Sequence, residues 1–361
     1  MITQDSIDKV IDGVNIEDVI GKAIPLKQKG ANFSGCCPFH DEKTPSFSVS
    51  PSRGIYKCFG CGAGGNVITF VQEFEHLDFP DAVRRLAKDY VITIEETAHQ
   101  EEDKEIKEKK ATMYDLNKSA RNAFMKTLID LDDQNEVKKY LRDRELSQDS
   151  IISFQIGYAP DISKFLSKKI IDSGFYGIGE EIGLCRKNEN GNVYDMFQKR
   201  VMFPIHNERG EIIAFSGRKM EDGKEGNPKY INSKASMIYR KEEVLYGLFQ
   251  AQKEIRKQDC AILVEGNIDV IMMHQMGVTN TVASCGTAFT ESHAKKLSRY
   301  CKSAIIMFDG DKAGREATLK TIDVLLAVGF QKVQVIPMED GWDPDTLCQR
   351  EGVDFLPSKS K

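Results

Sequence analysis

Four side chains limit this sequence more than anything else in it. Cys37-Pro-Phe-His40 is followed, after a gap of 17 residues, by Cys58-Phe-Gly-Cys61. A thiolate and an imidazole two residues apart can grip one side of a tetrahedral ion, and a thiolate pair with the same spacing can grip the other. Four protein ligands leave no open position, so the centre is expected to be structural, with one tightly held Zn²⁺ on Cys37, His40, Cys58 and Cys61. Gly60, Gly62, Gly64 and Gly65 suit the tight turns of such a knuckle. Cys36 has no partner in the spacing and is expected to be a bystander. The other cysteines, Cys185, Cys260, Cys285, Cys301 and Cys348, lie mostly in or beside apolar stretches and are expected to be small core residues. No disulfide framework is expected.

Around the knuckle, Phe33, Phe39, Phe47, Tyr56 and Phe59 alternate with Lys27, Lys29, Lys43, Arg53 and Lys57. Aromatic faces stack on unpaired bases while cations follow the phosphates, as a single-strand binder requires. About half of these aromatics are instead expected to pack the small zinc core. A formal net charge of -5 hides local basic regions. Lys22 to Gly60 holds six Lys/Arg against two Asp/Glu, and Arg200 to Lys241 holds nine against five. Both fit local phosphate contacts, although solvated surface would read the same way on charge alone.

Three segments follow from composition. Residues 1–95 hold short helices around the zinc motif. Residues 96–110 carry a single large apolar side chain, Ile106, and read as a charged linker, flexible or a solvated helix. The remainder is globular to about residue 352, with a frayed tail at 353–361. Within it, 111–255 is helical and then mixed, with strand signals in RVMFPI and EIIAFSG. From 256 to 352, the strands CAILVEG, TNTVASCG, SAIIMFDGD and KVQVIPM alternate with helices, which predicts an α/β domain on a parallel sheet. Gly277 is placed to close the first of these helices and Thr290 to cap the second. No apolar run approaches the roughly 18 residues of a membrane span. The N-terminus has neither the basic start nor the apolar core of a signal peptide, so a cytoplasmic protein is expected.

Acids mark the ends of these strands. Glu265-Gly266 closes the first, with Asp269 four residues on; Asp309-Gly310-Asp311 closes the third; Asp343-Pro344-Asp345 follows the fourth. Parallel sheets bind ligands beyond the carboxyl ends of their strands. Hard oxygen ligands gathered there suit Mg²⁺ or Mn²⁺ and phosphate. Asp311 also reads as a plain helix cap, which can coexist with metal binding.

The segment Cys37-Pro-Phe-His40-Asp-Glu-Lys43-Thr-Pro-Ser-Phe47, with Tyr56-Lys-Cys58-Phe-Gly-Cys61-Gly-Ala-Gly-Gly65-Asn66, resembles the zinc domain of bacterial DnaG-type primases. The acidic pattern resembles the TOPRIM fold that those primases share with topoisomerases and some nucleases. The block from Arg200 through Arg218, Lys229, Asn232, Ser233 and Lys241 to Tyr246-Gly247 is similar to the primase polymerase subdomain. The resemblance covers about residues 1–350. It implies a multi-domain α/β protein: a zinc ribbon, then a mixed α+β subdomain joined to a TOPRIM sheet. It implies that Glu265, Asp309 and Asp311 are catalytic, Glu265 as base or metal ligand. Asp309, Asp311, Asp343 and Asp345 would hold Mg²⁺ or Mn²⁺. Arg200, Arg218, Lys229, Asn232 and Lys241 would bind nucleotide or template, with Asp269 beside them in a role the resemblance does not fix.

The activity so implied is synthesis of short RNA primers on single-stranded DNA from ribonucleoside triphosphates, by a monomer. A replicative helicase would be contacted, if at all, through a region this sequence does not contain. Some positions depart from the pattern: Asn267 stands where an aromatic is usual, Gln198 where Arg is frequent, Lys234-Ala-Ser236 for Pro-Glu-Thr, and Glu145 where glycine is common. The alternative readings are a TOPRIM nuclease or topoisomerase, and a non-catalytic single-strand binder. A fused helicase is excluded, because no Gly-x4-Gly-Lys-[Ser/Thr] loop occurs.

Overall fold

A computed structural model describes residues 2–95, 100–220, 228–339 and 341–351. The chain divides into two compact units, Met1–Lys107 and Glu108–Lys361.

In the first unit, helices α1 (Gln4–Gly13) and α2 (Ile16–Ala23) precede five short strands, β1 (Lys27–Lys29), β2 (Asn32–Gly35), β3 (Phe47–Ser50), β4 (Ile55–Cys58) and β5 (Gly64–Asn66). The strands form one antiparallel sheet in sequence order. Helices α3 (Val67–Glu75) and α4 (Phe79–Asp89) follow, capped by the side chains of Asn66 and Asp78. Alternation places Phe47, Val49, Tyr56 and Cys58 inward, where they pack with Phe70, Val71, Val83 and Leu86.

The second unit continues helix α5 (Gln100–Asp130) through α6 (Glu136–Asp143) and α7 (Gln148–Ser153). The stretch expected as a linker is therefore helix from Gln100 onward; 96–99 lie outside the described residues. Lys104–Glu108 are exposed, and Glu and Lys are good helix formers that extend a helix without burying a face. Next come β6 (Gly157–Ala159), α8 (Ser167–Asp172), α9 (Tyr176–Glu181), the hairpin β7 (Cys185–Lys187) and β8 (Val193–Asp195), then β9 (Arg200–His206), β10 (Ile212–Lys219) and β11 (Tyr230–Asn232). Strands β6, β9, β10 and β11 make an antiparallel sheet, order β11-β10-β9-β6. Every residue of β9 and β10 is buried, so this sheet is covered on both faces.

After β12 (Leu245–Tyr246) and α10 (Leu248–Gln258), strands and helices alternate: β13 (Cys260–Val264), α11 (Asn267–Gln275), β14 (Thr281–Ser284), α12 (Glu291–Leu297), β15 (Ser303–Ile306), α13 (Lys312–Val328), β16 (Lys332–Val335) and α14 (Pro344–Glu351). The sheet order is β12-β14-β13-β15-β16, parallel except for edge strand β12. This is the α/β arrangement expected from the alternation. Met276 ends α11 and Gly277 follows in the left-handed region, while the Thr290 hydroxyl accepts the His293 N–H as expected. Cys185, Cys285 and Cys301 are buried and Cys260 partly so. The side chain of Cys348 lies outside the described residues.

One apolar cluster runs through both sheets of this unit. Val201, Phe203 and Ile205 from β9 meet Val264, Ile268, Ile271 and Met273 from the parallel domain. Gln275 reinforces the junction. Its Oε1 accepts from Ser147 N–H (2.8 Å) and the Ser150 hydroxyl (2.9 Å), and its Nε2 donates to Glu145 O (2.8 Å). Glu145 itself sits at φ +55, which explains why glycine is common at this position.

Gly157 lies against α5: a Cβ there would stand 2.6 Å from the Phe124 carbonyl carbon and 2.8 Å from Met125 N. A helix backbone cannot rotate away as a side chain can. Gly157→Ala should therefore lower unfolding free energy by about 1–3 kcal/mol. Urea denaturation checks this, and an unchanged midpoint would show that α5 shifts freely.

Candidate active site and metal centres

The zinc motif closes as its spacing requires. Cys37 follows β2, Cys58 ends β4, and Cys61 sits in the turn after it. One ligand atom from each of Cys37, His40, Cys58 and Cys61 lies within 4.8 Å of the others. Among the described residues this is the one such group of three or more His, Cys, Asp or Glu side chains. Three sulfurs and an imidazole at this spacing are a donor set that fits Zn²⁺. The N–H groups of Gly60 and Cys61 each donate to Cys58 Sγ at 3.3 Å. Burial pushes the Cys58 thiol up, but these donors and the Ser46 hydroxyl more than offset it, so it lies below the ordinary thiol range. A Cβ on Gly60 would stand 2.7 Å from His40 Nε2, so the turn needs glycine. Cys36 is exposed and outside the group.

Glu42 was not singled out by the spacing, yet it organises the centre. Its carboxylate accepts from Cys37 N–H (2.7 Å) and Ser46 N–H (3.0 Å), takes the Ser46 hydroxyl, and stands 3.3 Å from His40 Nε2. Burial alone would raise the carboxyl; the Ser46 donors, the Cys37 N–H and His40 together hold it below the usual range. A carboxylate on Nε2 leaves Nδ1 for the metal, and Nδ1 faces Cys58 Sγ at 3.8 Å.

The surrounding aromatics divide sharply. Phe47 and Tyr56 are buried and stacked at 5.2 Å, with Phe39 and Phe70 against them. Phe33 is partly buried. Phe59, between Cys58 and Gly60, is 78% exposed and presents its ring to solvent. On the open face of the sheet, the register aligns Lys27, Ser34, Ser48, Lys57 and Gly64 in one row across all five strands.

In the second unit, Glu265 and Asp309 follow β13 and β15 at their carboxyl ends, and Asp343 follows the loop after β16. Backbone donors hold Glu265, Asp311 and Asp343. Asp309 N–H donates to Glu265 Oε1 (3.0 Å), Gly314 N–H to Asp311 Oδ1 (2.7 Å), and Thr346 N–H to Asp343 Oδ1 (2.8 Å). Asp311 is thus the N-cap of α13, as its second reading anticipated. Burial, then Glu265, Asp343 and Asp311, push the Asp309 carboxyl up to about 6. Burial and Asp311 likewise raise Glu265, while the Asp309 N–H opposes them. Asp309 Oδ1 is buried with no hydrogen-bond partner among the described residues. Asp345 lies in α14, and its side chain is outside the described residues. Asp269 Oδ2 accepts the Gly266 N–H at 2.8 Å, which fixes the turn after Glu265.

The basic residues separate into two kinds. Arg200 is turned inward: its guanidinium donates to Gly217 O (3.0 Å), Lys229 O (3.2 Å) and Pro228 O (3.1 Å). These carbonyls at the strand edge engage part of its guanidinium, and the side chain is buried. Arg218 is different. It lies 4.2 Å over the Tyr140 ring, and its Nε has no hydrogen-bond partner among the described residues. Arg144 lies 5.9 Å from the same ring. The Tyr230 hydroxyl is pushed up to about 12 by burial and Tyr140, with Asp269 adding and Arg218 and Arg144 opposing. Tyr140, Arg144, Arg218, Tyr230 and Asp269 therefore form one group, and only tertiary packing brings α6 to it. Lys229 is exposed and Lys241 half-buried. Asn232 Nδ2 donates to Cys285 O (2.8 Å), and its Oδ1 is an unpartnered acceptor among the described residues.

Removing Glu42 should loosen the zinc centre without removing a ligand. Glu42→Ala is expected to weaken zinc binding by about 10–100-fold, as outer carboxylates on metal-bound histidine do. Competition with a chromogenic chelator measures this, and unchanged affinity would remove Glu42 from the centre.

Family patterns match along most of the chain: the CHC2 zinc finger over residues 2–102, the N-terminal domain of the DNA primase catalytic core over 124–252, and a Toprim-like domain over 262–348. The DNA primase of Clostridium acetobutylicum is 42% identical over 353 residues, and that of Halalkalibacterium halodurans 40% identical over 362. Each match covers 98% of this chain, which spans 58% of the relative's length. The crystal structure of the zinc-binding and RNA polymerase domains of Aquifex aeolicus primase superposes with TM-score 0.62 at 34% identity, covering 96% of this chain and 82% of that one. A DnaG primase catalytic domain bound to single-stranded DNA gives TM-score 0.62 at 32% identity, covering 68% and 79%. With zinc quartet, mixed subdomain and Toprim sheet each matched in chain order, this chain belongs to the DnaG primase family.

Proposed function

We propose that this chain is the catalytic core of a DNA primase, a nucleotidyltransferase that builds short RNA primers de novo on single-stranded DNA from ribonucleoside triphosphates. The observation that carries this reading is the acidic edge, where Glu265, Asp309, Asp311 and Asp343 influence one another and Asp309 keeps a buried, unpartnered oxygen. An all-oxygen donor set with an orphaned carboxylate oxygen fits Mg²⁺ or Mn²⁺. Glu265, Asp309, Asp311, Asp343 and Asp345 would hold the ions. When bound, divalent ions neutralise charge on a phosphate undergoing in-line displacement and favour ionisation of the attacking hydroxyl.

The chain's own residues would do the rest. The unpartnered Arg218 Nε, with Arg144, Lys229 and Lys241, is suited to hold phosphates; Tyr140 and Tyr230 offer ring faces; and the Asn232 Oδ1 is an acceptor for a sugar or base. On the zinc unit, Phe59 and the Lys27–Lys57 row of the sheet suit a single strand, with base stacking and phosphate contacts combined. A TOPRIM nuclease or topoisomerase is disfavoured, because residues 124–252 match a primase catalytic core.

Incubation with single-stranded DNA, labelled ribonucleotides and Mg²⁺ tests the proposal through the appearance of short RNA. Asp309→Ala, Asp311→Ala and Glu265→Gln should each abolish synthesis and leave single-strand affinity nearly unchanged, since those contacts lie on basic and aromatic residues. Wild-type rates in all three variants would move the active site elsewhere.

A second outcome concerns charge at the metal-free edge. The Asp309 carboxyl is raised in the fold to about 6, so its ionised form opposes folding above that pH. The penalty is fully present above the folded value and vanishes below the unfolded one. In chelator at pH 8, Asp309→Asn should melt at a higher temperature than the parent, and the gain should fade as pH falls below about 4. A lower melting temperature at pH 8 would contradict the electrostatic account.

A further inference from the structure

His293 is wholly buried in the first turn of α12, and both its ring nitrogens are engaged. Nδ1 accepts the Thr290 N–H at 3.1 Å. Nε2 lies 2.9 Å from Lys241 O, and a carbonyl only accepts, so Nε2 must carry the proton. The two partners thus fix a neutral imidazole in a single tautomer. Burial also holds the ring below its ordinary pKa, which keeps it neutral. Thr290 adds a second tie: its hydroxyl donates to Glu242 O at 2.7 Å while accepting the His293 N–H at 3.2 Å. The start of α12 therefore grips consecutive carbonyls of the 3₁₀ turn Lys241–Glu243.

That turn carries Lys241, the residue read above as a nucleotide or template contact. The Lys241 ammonium, like that of Lys296, helps to lower the Cys285 thiol against the dominant effect of burial. Asn232 donates to Cys285 O, and Gly286, at φ +69, leaves room for the Asn232 amide. Asn232 is thereby fixed against residues 285–286, whose thiol feels the Lys241 charge.

We propose that His293 is a positioning residue for Lys241: its Nε2–H holds the Lys241 main chain and so sets where the ammonium stands in the cleft. This rests on the reading of Lys241 as a nucleotide or template contact. An N-terminal acid or amide at the third helical position would serve α12 as a cap equally well. The imidazole differs from these in spending its second nitrogen on the Lys241 carbonyl.

The test is a double-mutant cycle on the full chain, with primer synthesis and single-strand binding as readouts. His293→Leu should reproduce the defect of Lys241→Ala, an about 10-fold rise in ribonucleotide KM or in DNA Kd, with a smaller change in kcat. In the Lys241→Ala background, His293→Leu should then cost nothing further. His293→Gln, which keeps an acceptor and a donor, should restore most of the lost affinity. If His293→Leu does not fold, Thr290→Val, which removes the tie to Glu242, enters the same cycle. Multiplicative losses in the double variant would reduce His293 to a stability role and overturn the proposal. So would wild-type affinity in the His293 variants while Lys241→Ala is impaired. A Lys241→Ala protein with normal affinity would instead overturn the reading of Lys241, and the positioning role with it.

Discussion

Bringing four carboxylates to one sheet edge is electrostatically unfavourable, and the second unit is arranged around meeting that cost. Three of the four are answered by a main-chain donor: Glu265 by the Asp309 N–H, Asp311 by Gly314, and Asp343 by Thr346. Two of these are helix N-termini, whose unpaired N–H groups and dipole favour negative charge. One oxygen, Asp309 Oδ1, is left out, and its carboxyl is the one pushed furthest. The fold tolerates the acids as a set and leaves a deficit that a divalent cation would fill.

Such support demands close approach. A Cβ on Gly314 would stand 2.2 Å from Asp309 O and 2.8 Å from Glu265 Oε1, and one on Gly310 would stand 1.9 Å from Glu339 O. Both glycines let main chain touch main chain, so α13 and the Asp343 loop can close on the strand ends. Gly310 N–H also donates to Trp342 O at 3.0 Å, and Arg315 donates to Gly310 O. The sole tryptophan is thereby built into the loop that carries Asp343, beside Arg350 at 4.6 Å.

The zinc unit solves a different problem by similar means. A sheet of three- and four-residue strands has little core of its own, and Phe47 and Tyr56 are buried against Phe70 of α3. The metal ligands fasten the ends of β2 and β4, and Glu42 ties the histidine to Cys37 and Ser46. With folding energy drawn from the metal, the outer face is released from packing, and there Lys27, Lys57 and Phe59 stand exposed.

Local pattern sufficed for a good deal of this. The two Cys/His pairs were legible because ligand spacing is a property of neighbouring residues, and the alternation after Cys260 because burial on both faces writes apolar runs into parallel strands. Acids at strand ends were readable for the same reason. Where side chains turn was a different matter. Arg200 looked like its basic neighbours, yet the register of β9 with β10 points it at carbonyls. Tyr140, in α6, and Arg144, just after it, come about ninety residues before β11, and packing alone delivers them to Arg218 and Tyr230. Phe59 and Phe47 were equivalent as letters, but one sits in a turn and the other alternates inward. The sequence alone determined which chemical groups this protein carries and the order in which strands and helices present them. Tertiary structure decided which of those groups face one another, because partners distant along the chain meet only after two sheets share one core.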